Sequence, residues 1–298
     1  MISRLRPSAT ILLLAICVCV TASSEGVAQQ ESTDPFQIAL RDAGRLDVEG
    51  RLADARATFQ HLIDSAPSPA ARAAAQRGMA MSYAFAGDCA NTVRYEEMVI
   101  AYWKTREQAE PQNAFYQQGE MANEAARVCI DAGDLATAEK YYRLGSELGT
   151  KEPQPATHSR ALWDFRLSHA LGRLAARRGD KAEAARHVEA ARQSLAELDS
   201  ATAAQQRRFF PYLVGYVALY TNDLGTAEKE LSNALAIRGN ERDPFMHVLM
   251  AMTYEKLGRP DKAKVHYQKG YELALAHNPP AAYARRIAGD KLGVTVSP

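Results

Sequence analysis

The chain has no Gly-x-Gly-x-x-Gly, no phosphate-loop lysine motif, no His-Glu-x-x-His, no Cys-x-x-Cys and no Gly-x-Ser-x-Gly. Each spacing answers a chemical need. Phosphates need a nest of backbone amides, a zinc protease needs two imidazoles one helical turn apart, and a serine nucleophile needs a strained elbow. Nucleotide, zinc-protease and serine-hydrolase chemistry is therefore left without residues. Histidine is sparse, and no histidine has a second one four residues along, so His169, His187, His247 and His266 are expected as surface or groove residues rather than metal ligands. Strand-like alternation is missing as well. With 36 Lys+Arg against 35 Asp+Glu the net charge is +1, which gives no global bias towards nucleic acid or an anionic membrane. Arg178-Gly179-Asp180 spells an adhesion tripeptide, but turn chemistry accounts for all three residues. No catalytic residue, metal or cofactor is expected.

Long apolar runs are absent too, with one short exception. Arg4 and Arg6 precede Ile11 to Val20, ten apolar residues followed by small and polar ones. That order is the one of a secretory signal peptide, and ten residues are too few to span a bilayer. Residues 1–28 are accordingly expected to be a signal peptide, cleaved after Ala22 or Ala28, with no membrane insertion afterwards and a periplasmic or secreted destination. An uncleaved anchor is the alternative. Residues 29–35 read as a polar, flexible lead-in, and residues 36–298 as one helical domain. Of 4 cysteines only Cys89 and Cys129 survive such cleavage. Two cysteines in an exported chain point to one disulfide, and the helices that carry them should pack antiparallel with these ends together. Two small apolar core residues that never pair is the other reading.

What the chain has in abundance is a helix-turn-helix phrase, present six times between Ala43 and Tyr267. A small residue is followed after seven positions by Gly or Asn, five further on usually by Ala, and four beyond that usually by a large apolar residue. The clear copies are Ala43/Gly50/Ala55/Phe59, Ala126/Gly133/Ala138/Tyr142, Gly172/Gly179/Ala184/Val188, Gly215/Asn222/Ala227/Leu231 and Ala251/Gly258/Ala263/Tyr267. The glycines, and Asn222 in their place, stand where the chain leaves a helix in a left-handed conformation. Asp88, Asp134, Asp180 and Asp223 follow directly, and Asp261 nearby, placed to cap the next helix. The small residues sit where two antiparallel helices approach. The second copy departs most, with Thr92 for the alanine and Glu96 for the apolar residue, which predicts a second helix shifted in register or loosely packed. Anchors at Ala55, Thr92, Ala138, Ala184, Ala227 and Ala263 lie 36 to 46 residues apart. The surplus is expected at 110–113, 151–155 and 198–200. Trp103 and Trp163, close to these insertions, read as packing residues. Pro279 to Leu292 reads as an amphipathic capping helix.

The phrase resembles the tetratricopeptide repeat, a helical hairpin of about 34 residues. Ala251, Tyr254, Gly258, Ala263, Tyr267 and Gly270, followed by Asn278-Pro279, match it best, and the resemblance runs from Phe36 to Pro279. It implies an all-α, right-handed α-solenoid of about six hairpins that binds other proteins on its concave face, where the first helix of each hairpin points. At the corresponding offsets stand Glu120, Asn123 and Arg127, then Arg166, His169, Arg173 and Arg177, then Phe209, Tyr212, Tyr216 and Tyr220, then Phe245, Val248 and Met252. A basic stretch thus runs into an aromatic one. The complementary partner is a protein or peptide segment that is acidic and carries bulky apolar anchors. The alternative is that the tyrosine stripe is core and the arginines a solvated face. The function expected is an exported adaptor, with a sensor that closes on a small ligand or short peptide as the second reading and a helical enzyme of unrecognised type as the third.

Overall fold

Turn chemistry builds the architecture. A helix of L-residues can be left sharply only through a positive φ, and Gly50, Gly87, Gly133, Gly179 and Gly258 take values of 70° to 91°. Asn222 does the same at 63°, the one non-glycine among the described residues to do so. The aspartates that follow then start the next helix. Asp88, Asp134, Asp180 and Asp223 each accept a hydrogen bond from the backbone amide three residues on. Asp261 differs, because Arg259 holds the cap position and the aspartate lies inside the first turn, where it meets the positive end of the helix dipole.

The computed structural model describes residues 34–294, so the expected signal peptide and most of the lead-in lie outside the described residues. Among these there are fourteen helices and no strand. Six hairpins pair α1 (Pro35–Val48) with α2 (Leu52–Asp64), α3 (Pro69–Ala86) with α4 (Cys89–Lys104), α5 (Pro111–Ala132) with α6 (Leu135–Gly149) and α7 (Arg160–Arg177) with α8 (Lys181–Glu197). After the short α9 (Ser200–Arg207) follow α10 (Phe210–Tyr220) with α11 (Leu224–Ala236), and α12 (Pro244–Lys256) with α13 (Pro260–Leu273). The described residues thus form an all-α solenoid, and α9 is the surplus expected near residue 200. The surplus at 151–155 is an irregular loop ahead of α7. Ala43, Ala55, Ala80, Ala126, Ala138, Ala184, Ala227 and Ala251 are all fully buried, as close helix approach requires. Trp163 is buried flat against Gly149, where an added Cβ would lie 2.1 Å from the indole.

The second hairpin keeps its register despite its odd residues. Thr92 and Glu96 are both 0 % exposed, at the positions that alanine and a large apolar residue hold elsewhere. The Thr92 hydroxyl donates to the Asp88 carbonyl at 2.8 Å and lies 3.3 Å from that of Ala80. Looseness is therefore not what Glu96 produces; the hairpin closes around it and a disulfide pins it. Cys89 at the start of α4 is bonded to Cys129 near the end of α5, with Cα atoms 4.7 Å apart.

The last helix, α14 (Pro279–Leu292), has the limits the sequence pattern gives it. It packs on α12 and α13, as a cap does, and also on α3 and α5. Ala281, Tyr283, Ala284 and Ala288 belong to one core with α10 to α13, whereas Ala282 belongs to the core of the first two hairpins. Just before it, His277 stacks between Phe59 and Phe85 with centroids 5.5 and 5.7 Å away. Its Nε2 lies 2.8 Å from the buried Asp47 carboxylate, which also accepts from Ser82 at 2.7 Å. The C-terminal segment thus crosses the inner side of the array and ties the first hairpins to the last.

Candidate functional site

Helix periodicity brings the basic residues together. Arg166, His169, Arg173 and Arg177 recur at steps of three and four along α7, so they share one face, and Arg127 on α5 faces them. The faces meet the tyrosines of α10. Arg173 donates to the Tyr212 hydroxyl at 3.3 Å and the Tyr142 hydroxyl at 3.1 Å, and Arg127 donates to the same Tyr212 hydroxyl at 3.1 Å. Arg127 also lies over the Phe245 ring at 4.0 Å, and Arg177 over that of Tyr220 at 4.9 Å while donating to Tyr216 at 3.4 Å. The guanidinium groups of Arg127, Arg173 and Arg177 are thus gripped by π faces and phenol oxygens.

The burial is deeper than an open groove allows. Tyr212, Tyr216, Phe245, Val248, His169 and Arg173 are buried, while Asn123, Arg127, Arg166, Arg177, Phe209, Tyr220 and Met252 are partly exposed. The cause is α14, whose Tyr283 packs 4.9 Å from Phe245 and donates to the Met252 sulfur. Burial holds the Tyr142 and Tyr216 phenols neutral by raising them above their ordinary value. Desolvation, and then the neighbouring Arg173, push His169 well below the ordinary histidine value, so it is a neutral ring beside the Phe209 carbonyl. Reversing the charge of Arg173 would bury a carboxylate against phenols, and so would disturb the fold as well as the site.

Counterions are few. Asp131 pairs with Arg127 at 3.4 Å; its pKa is raised by desolvation, against which Arg127, Arg173, Arg177 and Arg286 all pull. Glu120 is bound by Arg166 and Glu124 by Arg77. Arg173, only 6 % exposed, has no carboxylate within ion-pair distance among the described residues. Its partners are two phenols and the His169 carbonyl.

Next to this cluster is a cavity of about 360 Å³. Asn123, Arg127, Arg166, His169, Arg173, Phe209 and Tyr212 line it; Tyr216 and Phe245 lie behind its wall in the core, Tyr220 packs against that core, and Arg177 is outside the lining. Glu120, read from the same helical offset, lines it too, whereas sequence reasoning did not place Glu124, Phe165, Gln206 or the C-terminal segment there. Glu124 sits one turn along from Glu120 on the same face and was within reach of the helical offset. Asn278, Pro279 and Pro280 were not, because they come from a segment distant in sequence that folds back across the array. Among the described residues no group of three potential ligands is arranged for a metal, and no helix is long and apolar enough to cross a membrane.

Residues 246–277, the last hairpin, match the tetratricopeptide repeat family. Among solved structures, the chain is similar to one described as the APC/C hetero-tetramer Cut9-Hcn1, with 17% identity and a TM-score of 0.41, covering 85% of this chain and 42% of that one. It is also similar to the TPR domain of P58(IPK), with 13% identity and a TM-score of 0.34, covering 87% of this chain and 80% of that one. This chain therefore spans less than half of the first of these structures. No curated protein sequence matches it.

Proposed function

We propose that the protein is an exported, non-catalytic adaptor that holds an acidic, apolar-anchored segment of a partner protein at the inner cavity of its solenoid. The observation that carries this reading is Arg173, a buried guanidinium at the cavity wall with no carboxylate of its own and with Arg127 sharing its tyrosine. Asp131 is the one buried carboxylate whose field Arg127, Arg173, Arg177 and Arg286 share, and an incoming carboxylate would give a desolvated cation a direct partner. The tetratricopeptide match of the last hairpin agrees with a binding role. Export rests on the charged, apolar and small-residue order of the N-terminus, and a disulfide between Cys89 and Cys129 suits an oxidising compartment.

Affinity capture from a cell-envelope extract tests the reading, with the wild type and Arg166→Gln as baits. Arg166 stands at the partly exposed edge of the cavity, and its loss frees Glu120 to repel an anion. A partner with an acidic segment should be retained by the wild type, lost from the variant and released by salt. Equal capture by both would reject the cavity as the site. N-terminal sequencing of protein from its host checks export, since an intact Met1 would rule out cleavage.

One observation favours the sensor as second reading. The crossing of the C-terminal segment narrows the inner face to a cavity of about 360 Å³, which falls in the range of small-ligand sites, roughly 300–1,000 Å³. A melting temperature that rises with a small anion in the absence of any partner would select it.

A further inference from the structure

A second cavity of about 410 Å³ lies between α3, α4 and α5, with Phe59, Met81, Val99, Trp103 and Met121 in its walls. Neither family resemblance nor helical offset points to it. It borders the cationic cavity through three shared features. On α5, Gln117 and Met121 line the apolar cavity, and Glu120, Asn123, Glu124 and Arg127, interleaved on the same helix, line the cationic one. The ion pair of Arg77 with Glu124 divides the two, Arg77 on the apolar side and Glu124 on the cationic side. The C-terminal segment walls both, His277 the first and Asn278 to Pro280 the second.

We infer that the two cavities are lobes of one site, and that the partner segment seats its apolar anchor between α3 and α5 and its carboxylates at Arg127 and Arg173. This rests on the binding function proposed above and corrects its geometry. The aromatic stripe of α10 and α12 is not where an anchor can go, because Tyr216 and Phe245 already pack on each other and on Tyr283 of α14. The apolar lobe has no charge to spare. Arg77 is held by Glu124 and His277 by Asp47, so nothing there grips an anion. Arg173 in the other lobe has no carboxylate within ion-pair distance among the described residues and shares the field of Asp131 with three other arginines. The complementary ligand is therefore apolar at one end and acidic at the other, with its apolar end towards the N-terminal hairpins.

The ridge between the lobes selects a polypeptide over a hydrocarbon amphiphile. Between the lobes stands the Arg77–Glu124 pair, with Gln117 lining one cavity and Asn123 the other. An alkyl chain laid across the ridge would strip water from these groups and return no hydrogen bond. Peptide groups carry a donor and an acceptor each and pair with amide side chains in either sense.

The test pans a random dodecapeptide library on the full-length protein and measures the selected peptides by fluorescence anisotropy. Three variants accompany the wild type: Ala74→Trp, which fills the apolar lobe from α3, Ala70→Trp at its exposed lip, and Arg173→Met. Circular dichroism and melting verify that each is folded; if Arg173→Met is not, Arg166→Gln replaces it. Selected peptides should join an apolar cluster to an acidic one. The lobe-filling variants should weaken them about ten-fold or more, yet bind a purely acidic peptide as the wild type does. Arg173→Met should weaken both kinds. Selected peptides without apolar clusters, or lobe-filled variants that bind normally, would overturn the two-lobed site and leave acidic binding standing. Tighter binding of decanoate than of any selected peptide would assign the lobe to an amphiphile and overturn it too. If no acid-bearing peptide is selected and Arg173→Met changes nothing, the binding reading itself falls.

Discussion

The second and the last hairpins hold the same positions in the repeat and are kept together by different forces. In the last, Ala263 and Tyr267 fill the places the repeat gives to a small and a large apolar residue, and the Tyr267 hydroxyl donates to Glu255 at 2.9 Å. In the second, Thr92 and Glu96 stand at those places. A carboxyl group buried on all sides is stable only without its charge. As an anion Glu96 has no donor, whereas as a neutral acid it can donate to the Glu124 carboxylate. Desolvation first, then the negative field of Glu124, hold its proton well above the ordinary carboxyl value. A repeat motif can therefore be replaced in its packing without losing its geometry, provided covalent and electrostatic terms take over. The second hairpin should then respond to reductant and, through Glu96, to rising pH, whereas the last holds neither a disulfide nor a fully buried carboxyl group.

The largest effect expected is on removing the bridge. The bond spans 40 residues, for which the chain-entropy estimate is about 4 kcal/mol. Urea denaturation of the Cys89→Ala/Cys129→Ala double variant should show that loss, and reductant should lower the stability of the wild type but not of the variant. A wild type indifferent to reductant would mean that packing alone holds the second hairpin.

A smaller effect, which grows with pH, is expected from Glu96→Gln, since Gln mimics the neutral acid and cannot ionise. The sign follows from the raised pKa. Below the ordinary value of 4.5 the carboxyl is protonated in both the folded and unfolded states, and wild type and variant should melt alike. Above it only the unfolded state releases the proton, so the wild type loses stability as pH climbs towards the folded-state value. Melting temperatures measured from pH 4 to 9 should therefore diverge in favour of the variant. Parallel curves would show that Glu96 ionises in the folded protein as freely as in the unfolded one.

Tyr267→Phe should have the smallest effect. It removes one partly buried hydrogen bond to Glu255, worth about 1 kcal/mol. Because the carboxylate keeps its bond to Lys291, the loss should vary little between pH 6 and 8. A loss with the steep pH dependence of the second hairpin would erase the contrast between the two.

The contrast also marks what could be read from residues. Gly133, Asn222 and the capping aspartates act within a few residues of themselves, and the helix limits they set reappear in the structure with little change. Glu96 was legible as a departure, but its outcome was not, because whether a buried acid is tolerated depends on Glu124 of the next hairpin and on Arg77. The cavity residues divide in the same way. The arginines of α7 follow from helical spacing, whereas the walls formed by Asn278 to Pro280 depend on where a distant segment docks.

By itself the sequence determined the helical hairpins, their number, their turns and the sharing of one face by Arg166, His169, Arg173 and Arg177, since all of these follow from local conformational preference and the helical period. Only the tertiary structure decided that Tyr216 and Phe245 are core, that Arg173 is buried with no carboxylate of the described residues within ion-pair distance, and that two cavities adjoin along α5. Those outcomes depend on the curvature accumulated over six hairpins, which brings His277 within 2.8 Å of Asp47 and lays α14 across α3 and α5. Each step of that curvature is a small difference in packing between neighbouring helices, and no one repeat carries enough of it to be read alone.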